Sequence, residues 1–294
     1  HLSAVKSALR PVLSAAGAAH AVIGDKATDA VGRGLSKLGM PMWSSAFPLA
    51  YYPHAIKTQP SELKVVYFPS CINQTMGKSK GQSTPLIDKM VALMEKAGYE
   101  VIFPKNMKNL CCGTIWESKG MPDIADRKAK ELDDALFEAS DGGRYPVLCD
   151  QSPCLHRMRN TIKRVKLYEP VEFIYEYLAP HLRFVQTDEP VALHFTCSTR
   201  HMNLNDMFVA LAGMCTTKVV VPEEVGCCGF AGDKGFTDPE VNRYALRKLR
   251  KQLEAAGVKR GFSNSRTCEI GLTVNGGVPY QSIAYLVDEC TIKK

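Results

Sequence analysis

One pattern occurs twice in this chain and limits what it can fold into: a lone cysteine, an adjacent cysteine pair closed by glycine, then another cysteine. The first copy consists of Cys71, Cys111-Cys112-Gly113 and Cys154; the second consists of Cys197, Cys227-Cys228-Gly229 and Cys268. Free cysteine packs well as a small apolar residue, but packing does not call for the same order of cysteine motifs twice. A duplicated thiolate constellation calls for a metal cluster. The repeat extends to the neighbours. Phe68-Pro69-Ser70 precedes the first cysteine as His194-Phe195-Thr196 does in the second copy, and Lys119-Gly120 answers Lys234-Gly235 with a shift of one residue. The copies differ at one position. Cys149 stands five residues before Cys154, where the second copy has Ser263. Serine is a poor ligand for iron or zinc, so the two sites should differ.

Other uses of these cysteines fit less well. A secreted disulfide framework is short, even in cysteine count and loop-rich; this chain has 294 residues and 11 cysteines. Bonding adjacent cysteines strains the peptide and the torsion about sulfur. A reduced, cytoplasmic setting follows, and the sequon Asn73-Gln74-Thr75 reads as accidental. Zinc typically uses a C-x-x-C knuckle, and none is present. His156 and His201 lie near cysteine loops and read as neighbours of the sites rather than ligands. Cys215 and Cys290 match nothing in the repeat and read as buried apolar residues.

A hydrophobic content of 45% and a charged content of 23% are those of a globular chain with a sizeable core. No apolar run approaches the roughly 20 residues that span a bilayer, and no signal peptide is recognisable. The chain begins at His1 rather than Met, which reads as a fragment or a trimmed chain. The net charge of +7 gathers at Arg157, Arg159, Lys163, Arg164 and Lys166, and again at Arg243, Arg247, Lys248, Arg250 and Lys251. These groups read as solvated helix faces; the sharper alternative is a docking face for an acidic partner or an anionic membrane surface. Nucleic-acid motifs and interleaved aromatic residues are absent, so a nucleic-acid partner is not expected.

Residues 1–60 read as an N-terminal arm or linker, rich in Ala, Gly and Ser, with a short amphipathic helix over residues 3–16. Strand and helix patterns then alternate. Strands are predicted at Val65–Phe68, Val101–Phe103 and Pro146–Cys149, with helices over Pro85–Ala97, Ile124–Ala139 and Val171–Leu182. The second copy repeats the order: strands at Val191–Phe195 and Val219–Val221, helices over Asn205–Ala212 and Pro239–Ala256. The expected fold is therefore α/β: two similar, Rossmann-like strand–helix halves, residues 61–185 and 186–294, related by approximate two-fold symmetry and preceded by the arm. The cysteines follow strands, and in open α/β sheets ligands gather outside the carboxyl ends of strands. Each copy should bring its thiols to one rim: Cys71, Cys111, Cys112, Cys149 and Cys154 in the first; Cys197, Cys227, Cys228 and Cys268 in the second. Gly113 and Gly229 allow tight turns with positive φ and let backbone N–H groups approach sulfur. Lys119 and Lys234 are candidates to supply the positive potential that thiolates need.

The motifs Cys111-Cys112-Gly113-Thr114-Ile115-Trp116-Glu117-Ser118-Lys119-Gly120, Asp150-Gln151-Ser152-Pro153-Cys154, Cys197-Ser198-Thr199-Arg200-His201, Gly226-Cys227-Cys228-Gly229-Phe230-Ala231-Gly232-Asp233 and Ser265-Arg266-Thr267-Cys268-Glu269-Ile270-Gly271 resemble the duplicated cysteine-rich "CCG" domain family. That family includes the cysteine-rich component of heterodisulfide reductase and the iron–sulfur components of glycolate oxidase, lactate-utilisation enzymes and anaerobic glycerol-3-phosphate dehydrogenase. From about residue 40 to the end, the chain is most similar to the C-terminal part of FAD-linked, iron–sulfur D-2-hydroxyacid dehydrogenases of the D-lactate and D-2-hydroxyglutarate type. The resemblance implies an electron-transfer module of an oxidoreductase, inert alone, that relays electrons from flavin toward quinone or another acceptor. FAD would sit on a partner domain or subunit, since no flavin fingerprint and no ferredoxin cysteine run is present here. It also implies one or two [4Fe-4S] clusters, with a non-cubane form on the five copy-one cysteines as one version. The copy-one ending is C-x4-C where those relatives have C-x-x-C. Cluster-based thiol–disulfide reduction and a zinc-bound or metal-free interaction module are the alternatives. A homo-oligomer and peripheral contact with the inner membrane face are compatible with this reading.

Overall fold

The computed structural model describes residues 2–79 and 81–294. It opens on helix α1 (Leu2–Lys37), which is kinked at Gly24 (φ 76°) and contains Pro11. The first half then runs β1 (Lys64–Phe68), α2 (Leu86–Lys96), β2 (Glu100–Ile102), α3 (Thr114–Glu117), α4 (Pro122–Ala139), β3 (Val147–Cys149), α5 (Ser152–Thr161), β4 (Leu167–Tyr168), α6 (Pro170–Phe173) and β5 (Leu182–Phe184). The second half runs β6 (Val191–Leu193), α7 (Cys197–His201), α8 (Asn205–Cys215), β7 (Val219–Val220), α9 (Pro239–Ala245), α10 (Leu249–Ala255), β8 (Arg260–Phe262), α11 (Arg266–Gly276), β9 (Tyr280–Gln281), α12 (Ile283–Glu289) and β10 (Thr291–Lys293).

Two four-stranded parallel sheets result, β2-β1-β3-β4 and β7-β6-β8-β9, with the same strand order by position. The mixed α/β class with parallel sheets is as expected. Alternation along the strands shows why both faces are covered. Val65 and Tyr67 face one apolar cluster, and Val66 and Phe68 face another. Likewise Val191 and Leu193 enter the first cluster while Ala192 enters a third. Strands buried on both faces need helices on both sides. The first cluster draws on both halves: Ile87, Met90 and Met94 from α2 meet Phe208 and Leu211 from α8 and Tyr285 and Leu286 from α12. The predicted apolar face of α2 (Ile87, Met90, Val91, Met94) is buried there, and Gly98 ends that segment at φ 86°.

Several local expectations need correction. The helix expected over 3–16 runs on to a break at Gly24, and a second helical piece follows it to Lys37; the alanines favour helix, and the non-helical Gly24 rather than Pro11 divides the arm. The helix expected over 239–256 is two pieces, α9 and α10, broken at Leu246–Lys248. The stretch expected as a helix over 171–182 passes from α6 through a π turn (Ile174–Leu178) and a 3-10 turn (Ala179–His181) before Leu182 joins a strand. Pro180 disfavours a regular turn there. A short antiparallel pair, β5 with β10, ties the end of the first half to the end of the chain.

A buried polar seam joins the halves. Ser152 N–H donates to Asn264 O (3.0 Å), Gln151 Nε2 donates to Ser265 Oγ (3.0 Å), and Ser152 Oγ contacts Thr199 Oγ1 (3.1 Å). Arg266, fully buried, donates through Nε to Asn73 Oδ1 (3.0 Å) and pairs with Glu269 (3.1 Å). Asn73 is thus interior, beyond the reach of glycosylation. Glu169 caps α6 through the Val171 N–H and accepts from Asn264 Nδ2 (2.9 Å) across the seam.

Burial pushes the Glu169 carboxyl up from its ordinary value to about 7. A carboxyl whose folded pKa is raised binds protons more readily folded than unfolded, so its contribution is present below the unfolded pKa and is lost as pH rises through about 7. We expect stability to fall by up to about 3 kcal/mol between pH 4.5 and 7.5 from this group, and Glu169→Gln to flatten the trend. Urea midpoints across that range check it; an unchanged slope in the variant would remove Glu169 as its source.

Candidate metal centres

Each centre is built where strands end. In copy one, Pro69 follows β1 and the chain turns through Ser70–Met76, with Gln74 N–H donating to Ser70 O (2.9 Å) and carrying Cys71 outward. A 3-10 turn (Met107–Asn109) leads from β2 to Cys111 and Cys112. Cys149 is the last residue of β3, and Cys154 sits on the first turn of α5. Copy two repeats these placements. Cys197 is the first residue of α7, Cys227 and Cys228 follow β7, and Cys268 is on the first turn of α11.

The thiols make a row of sulfur contacts in the same order in both copies. Cys71 adjoins Cys111, Cys111 adjoins Cys112, and Cys112 adjoins Cys154, all as free thiols. In copy two, Cys197 adjoins Cys227, Cys227 adjoins Cys228, and Cys228 Sγ lies 3.0 Å from Cys268 Sγ. Among the described residues, no group of three or more His, Cys, Asp or Glu side chains converges as the ligands of a single ion would. Four thiols strung in a row suit the corners of a polynuclear iron–sulfur group, which takes one thiolate per iron. Cys149 is buried beside Cys112 and Cys154 and completes five cysteines in copy one.

Neighbouring thiols shift one another's pKa along each row. The hydrogen bond from Cys111, with burial, holds the Cys112 thiol up at about 11. In copy two, hydrogen bonds from Cys197 and Cys228 draw the Cys227 thiol strongly down, while its partners are pushed up. The rows differ in access. Cys111, Cys112, Cys149 and Cys154 are buried and Cys71 is half-buried, whereas Cys197 and Cys227 are exposed.

Both glycines take positive φ, 90° at Gly113 and 71° at Gly229. Each turns its N–H toward the first cysteine of its pair: Gly113 N to Cys111 Sγ at 3.4 Å, Gly229 N to Cys227 Sγ at 3.3 Å. Phe230 N–H adds a bond to Cys228 Sγ (3.4 Å). A side chain at Gly113 would meet Ala125 O at 2.5 Å, and one at Gly229 would meet Val241 O at 2.7 Å. Lys119 forms an exposed ion pair with Asp233 of the other half (2.7 Å), and Lys234 is exposed.

Several supporting residues escaped the sequence reading. Arg157 is buried rather than on a solvated face. Its Nε donates to Cys112 O (3.1 Å), and its Nη atoms pair with Glu117 and Asp126. Asn242 does the same work in copy two, donating through Nδ2 to Cys228 O. Nothing in a helical charge pattern distinguishes an inward arginine. Phe68 stands beside Cys149 across the sheet; at the matching positions, His194 Nδ1 contacts Ser263 Oγ (3.2 Å). The missing fifth cysteine is therefore replaced by a polar pair, with His194 held neutral by burial at about 4. The arm also enters. Lys6 of α1 is buried, and its Nζ donates to Gln74 Oε1 (2.9 Å). Burial pushes its ammonium below the ordinary value, while Cys71 and Cys111 pull it back up. Cys215 and Cys290 are buried free thiols that adjoin one another, away from both rows. The rings of His156 and His201 lie 5.7 Å apart, between α5 and α7.

A family model described as a cysteine-rich domain matches residues 65–159 and 191–273, one segment per copy. Among curated proteins, Lactate utilization protein A 1 of Bacillus mycoides (strain KBAB4) is 22% identical over 248 residues, covering 77% of this chain and 97% of that protein. Among solved structures, Picrophilus torridus aspartate racemase is similar at a TM-score of 0.36 and 8% identity, covering 80% of this chain and 96% of that one. Glutamate racemase from Aquifex pyrophilus follows at 0.33 and 11%, covering 77% and 82%. Likeness at that level carries no argument here.

Two outcomes are expected from the site geometry. Gly113→Ala should destabilise by on the order of 1–3 kcal/mol through φ strain and the clash with Ala125 O, while Gly34→Ala, with nothing within 4 Å of its added methyl, should be close to neutral; equal denaturation midpoints would refute the turn argument. After anaerobic loading with iron and sulfide, Cys112→Ser should lose most visible absorption from copy one, whereas Cys215→Ser should keep it. Identical spectra would show that the ligand assignment is wrong.

Proposed function

The chain belongs to the cysteine-rich domain family, and on that premise we propose that it is the iron–sulfur relay module of an FAD-dependent D-2-hydroxyacid dehydrogenase, taking electrons from flavin and passing them toward quinone or another acceptor. The observation that carries the reading is the pair of thiol rows, each four sulfurs in the same order with backbone N–H groups turned on the leading cysteine of its pair. The lactate-utilisation name of the relative supports the substrate class. Cys71, Cys111, Cys112 and Cys154, with Cys149 beside them, would hold one cluster; Cys197, Cys227, Cys228 and Cys268 would hold a second. Bound there, such clusters supply one-electron transfer at potentials set by ligands, hydrogen bonds and exposure.

The chain's own residues prepare these sites. Gly113, Gly229 and Phe230 offer N–H groups to sulfur, which favours thiolate over thiol. Arg157 and Asn242 fix the carbonyl of the second cysteine in each pair and so hold its side chain in place. The seam of Ser152, Thr196 and Thr199 packs α5 on α7, which brings the cysteine-bearing first turns of the two copies together. The exposed side of copy two, with Cys197 and Cys227, is the side we assign to exchange with partners.

We read residues 1–60 as the arm and 61–185 and 186–294 as two Rossmann-like copies related by an approximate two-fold axis; the shared strand order supports this. Thiolate chemistry calls for a reducing compartment, which favours the cytoplasmic side. Among the described residues, no helix is long and apolar enough to cross a membrane.

Alone, the chain should be inert toward D-lactate and D-2-hydroxyglutarate. Joined to its FAD-containing partner, it should show cluster bleaching after flavin reduction in stopped-flow spectroscopy. Cys111→Ser or Cys228→Ser should spare flavin reduction and slow delivery to the external acceptor by tenfold or more, on the order of 1.4 kcal/mol in barrier. Unchanged turnover with the physiological acceptor would end the relay reading.

A further inference from the structure

Two cations of the arm reach one residue of the copy-one turn. Lys6 Nζ donates to Gln74 Oε1 at 2.9 Å, and Arg10 Nη2 donates to Gln74 O at 2.9 Å. Gln74 is itself fixed, its Nε2 donating to Pro69 O at 2.7 Å, in the turn that carries Cys71. Helix α1 also packs on the Met107–Asn109 turn that leads into Cys111. Lys6 is 3% exposed, and Arg10 Nε is buried without a partner. Among the described residues, no carboxylate pairs with either side chain. A buried ammonium without an anion is costly, and a second cation one turn away adds repulsion. Gln74 offers only a neutral carbonyl. As thiolates, Cys71 and Cys111 would act on Lys6 as anions and hold its ammonium up against burial.

We infer that Lys6, assisted by Arg10, is the counter-cation of the copy-one thiolate centre: α1 docks over the centre, and its buried ammonium is balanced by the negative charge that the loaded thiolates carry. The inference rests on the proposed cluster occupancy. It makes Lys6 a positioning residue that sets how readily copy one is reduced, since a fixed cation stabilises each added electron. Copy two lacks such a cover. Its Cys197 and Cys227 are exposed; of its nearby cations, Arg266 is buried but paired with Glu269, and Arg200 is exposed and bonded to the carbonyls of Phe195 and Val225.

The test uses the full chain loaded anaerobically with iron and sulfide, in a Cys228→Ser background that leaves copy one as the spectroscopic signal. EPR-monitored redox titrations and thermal melts before and after loading compare Lys6, Lys6→Arg and Lys6→Met. Lys6→Met should shift the copy-one midpoint to more negative potential, and Lys6→Arg should stay near the parent. Metal-free Lys6→Met should melt above the metal-free parent and gain less on loading, because the substitution removes an uncompensated buried charge. A Lys6→Met chain that loads fully, titrates and melts like the parent overturns this inference alone. One that fails to fold without metal contradicts it too. A parent chain, with Cys228 intact, that takes up no iron and sulfide overturns it together with the relay reading.

Discussion

A buried guanidinium holds this molecule in register. Arg266 opens α11 two residues before Cys268, and it reaches Asn73, two residues after Cys71, while Glu269 neutralises it from its own helix. One side chain thus ties the last cysteine segment of the second copy to the first cysteine segment of the first. A buried ion pair is poor evidence of net stability, because desolvating both partners offsets the attraction. Its value here is geometric. Losing either partner would leave a charge in the seam, so alternative packings of the halves are disfavoured. Around it, Gln151, Ser152, Thr196, Thr199 and Asn264 bond across the same boundary. An apolar boundary would tolerate sliding; a hydrogen-bonded one has fixed partners.

The two copies share one construction and diverge in detail. The glycine turn, the donor to the second cysteine's carbonyl and the order of the thiol row are common to both. The differences fall around the rows. Phe68 and Cys149 in one copy become His194 and Ser263 in the other, a change on two adjacent strands at once. One row lies beside the arm, and the other has two of its four cysteines, Cys197 and Cys227, exposed. Duplicated sites that differ in burial, charge and ligand count differ in chemistry even where their backbones match.

Much of this was legible because it depends on local rules. Strand formers followed by loops place cysteines at sheet ends, and Cys-Cys-Gly demands a turn that only glycine makes without strain. The apolar run from Val65 to Phe68 announced a strand, and the alternation of strand and helix patterns announced an α/β fold. What could not be read depends on contacts distant in sequence. Arg157 sits among basic residues at helical spacing, a pattern that ordinarily marks a wet surface, yet its guanidinium points inward to Cys112, Glu117 and Asp126. The arm's Ala- and Gly-rich composition concealed a long helix, and nothing near Lys6 in sequence reveals that Gln74 and Cys71 lie beside it. The break between α9 and α10 has no proline or glycine to announce it.

The docking of α1 over copy one also bears on the order in which the molecule is assembled. The arm is synthesised before the surface it covers, which is completed only when Cys154 and the helix behind it have been made. A centre roofed by a helix must be filled before the roof closes, or the roof must lift again. On the proposed occupancy, the first half would take up its inorganic cargo before α1 docks or with α1 lifted, whereas the second half, with Cys197 and Cys227 at the surface, would stay open to loading and to loss.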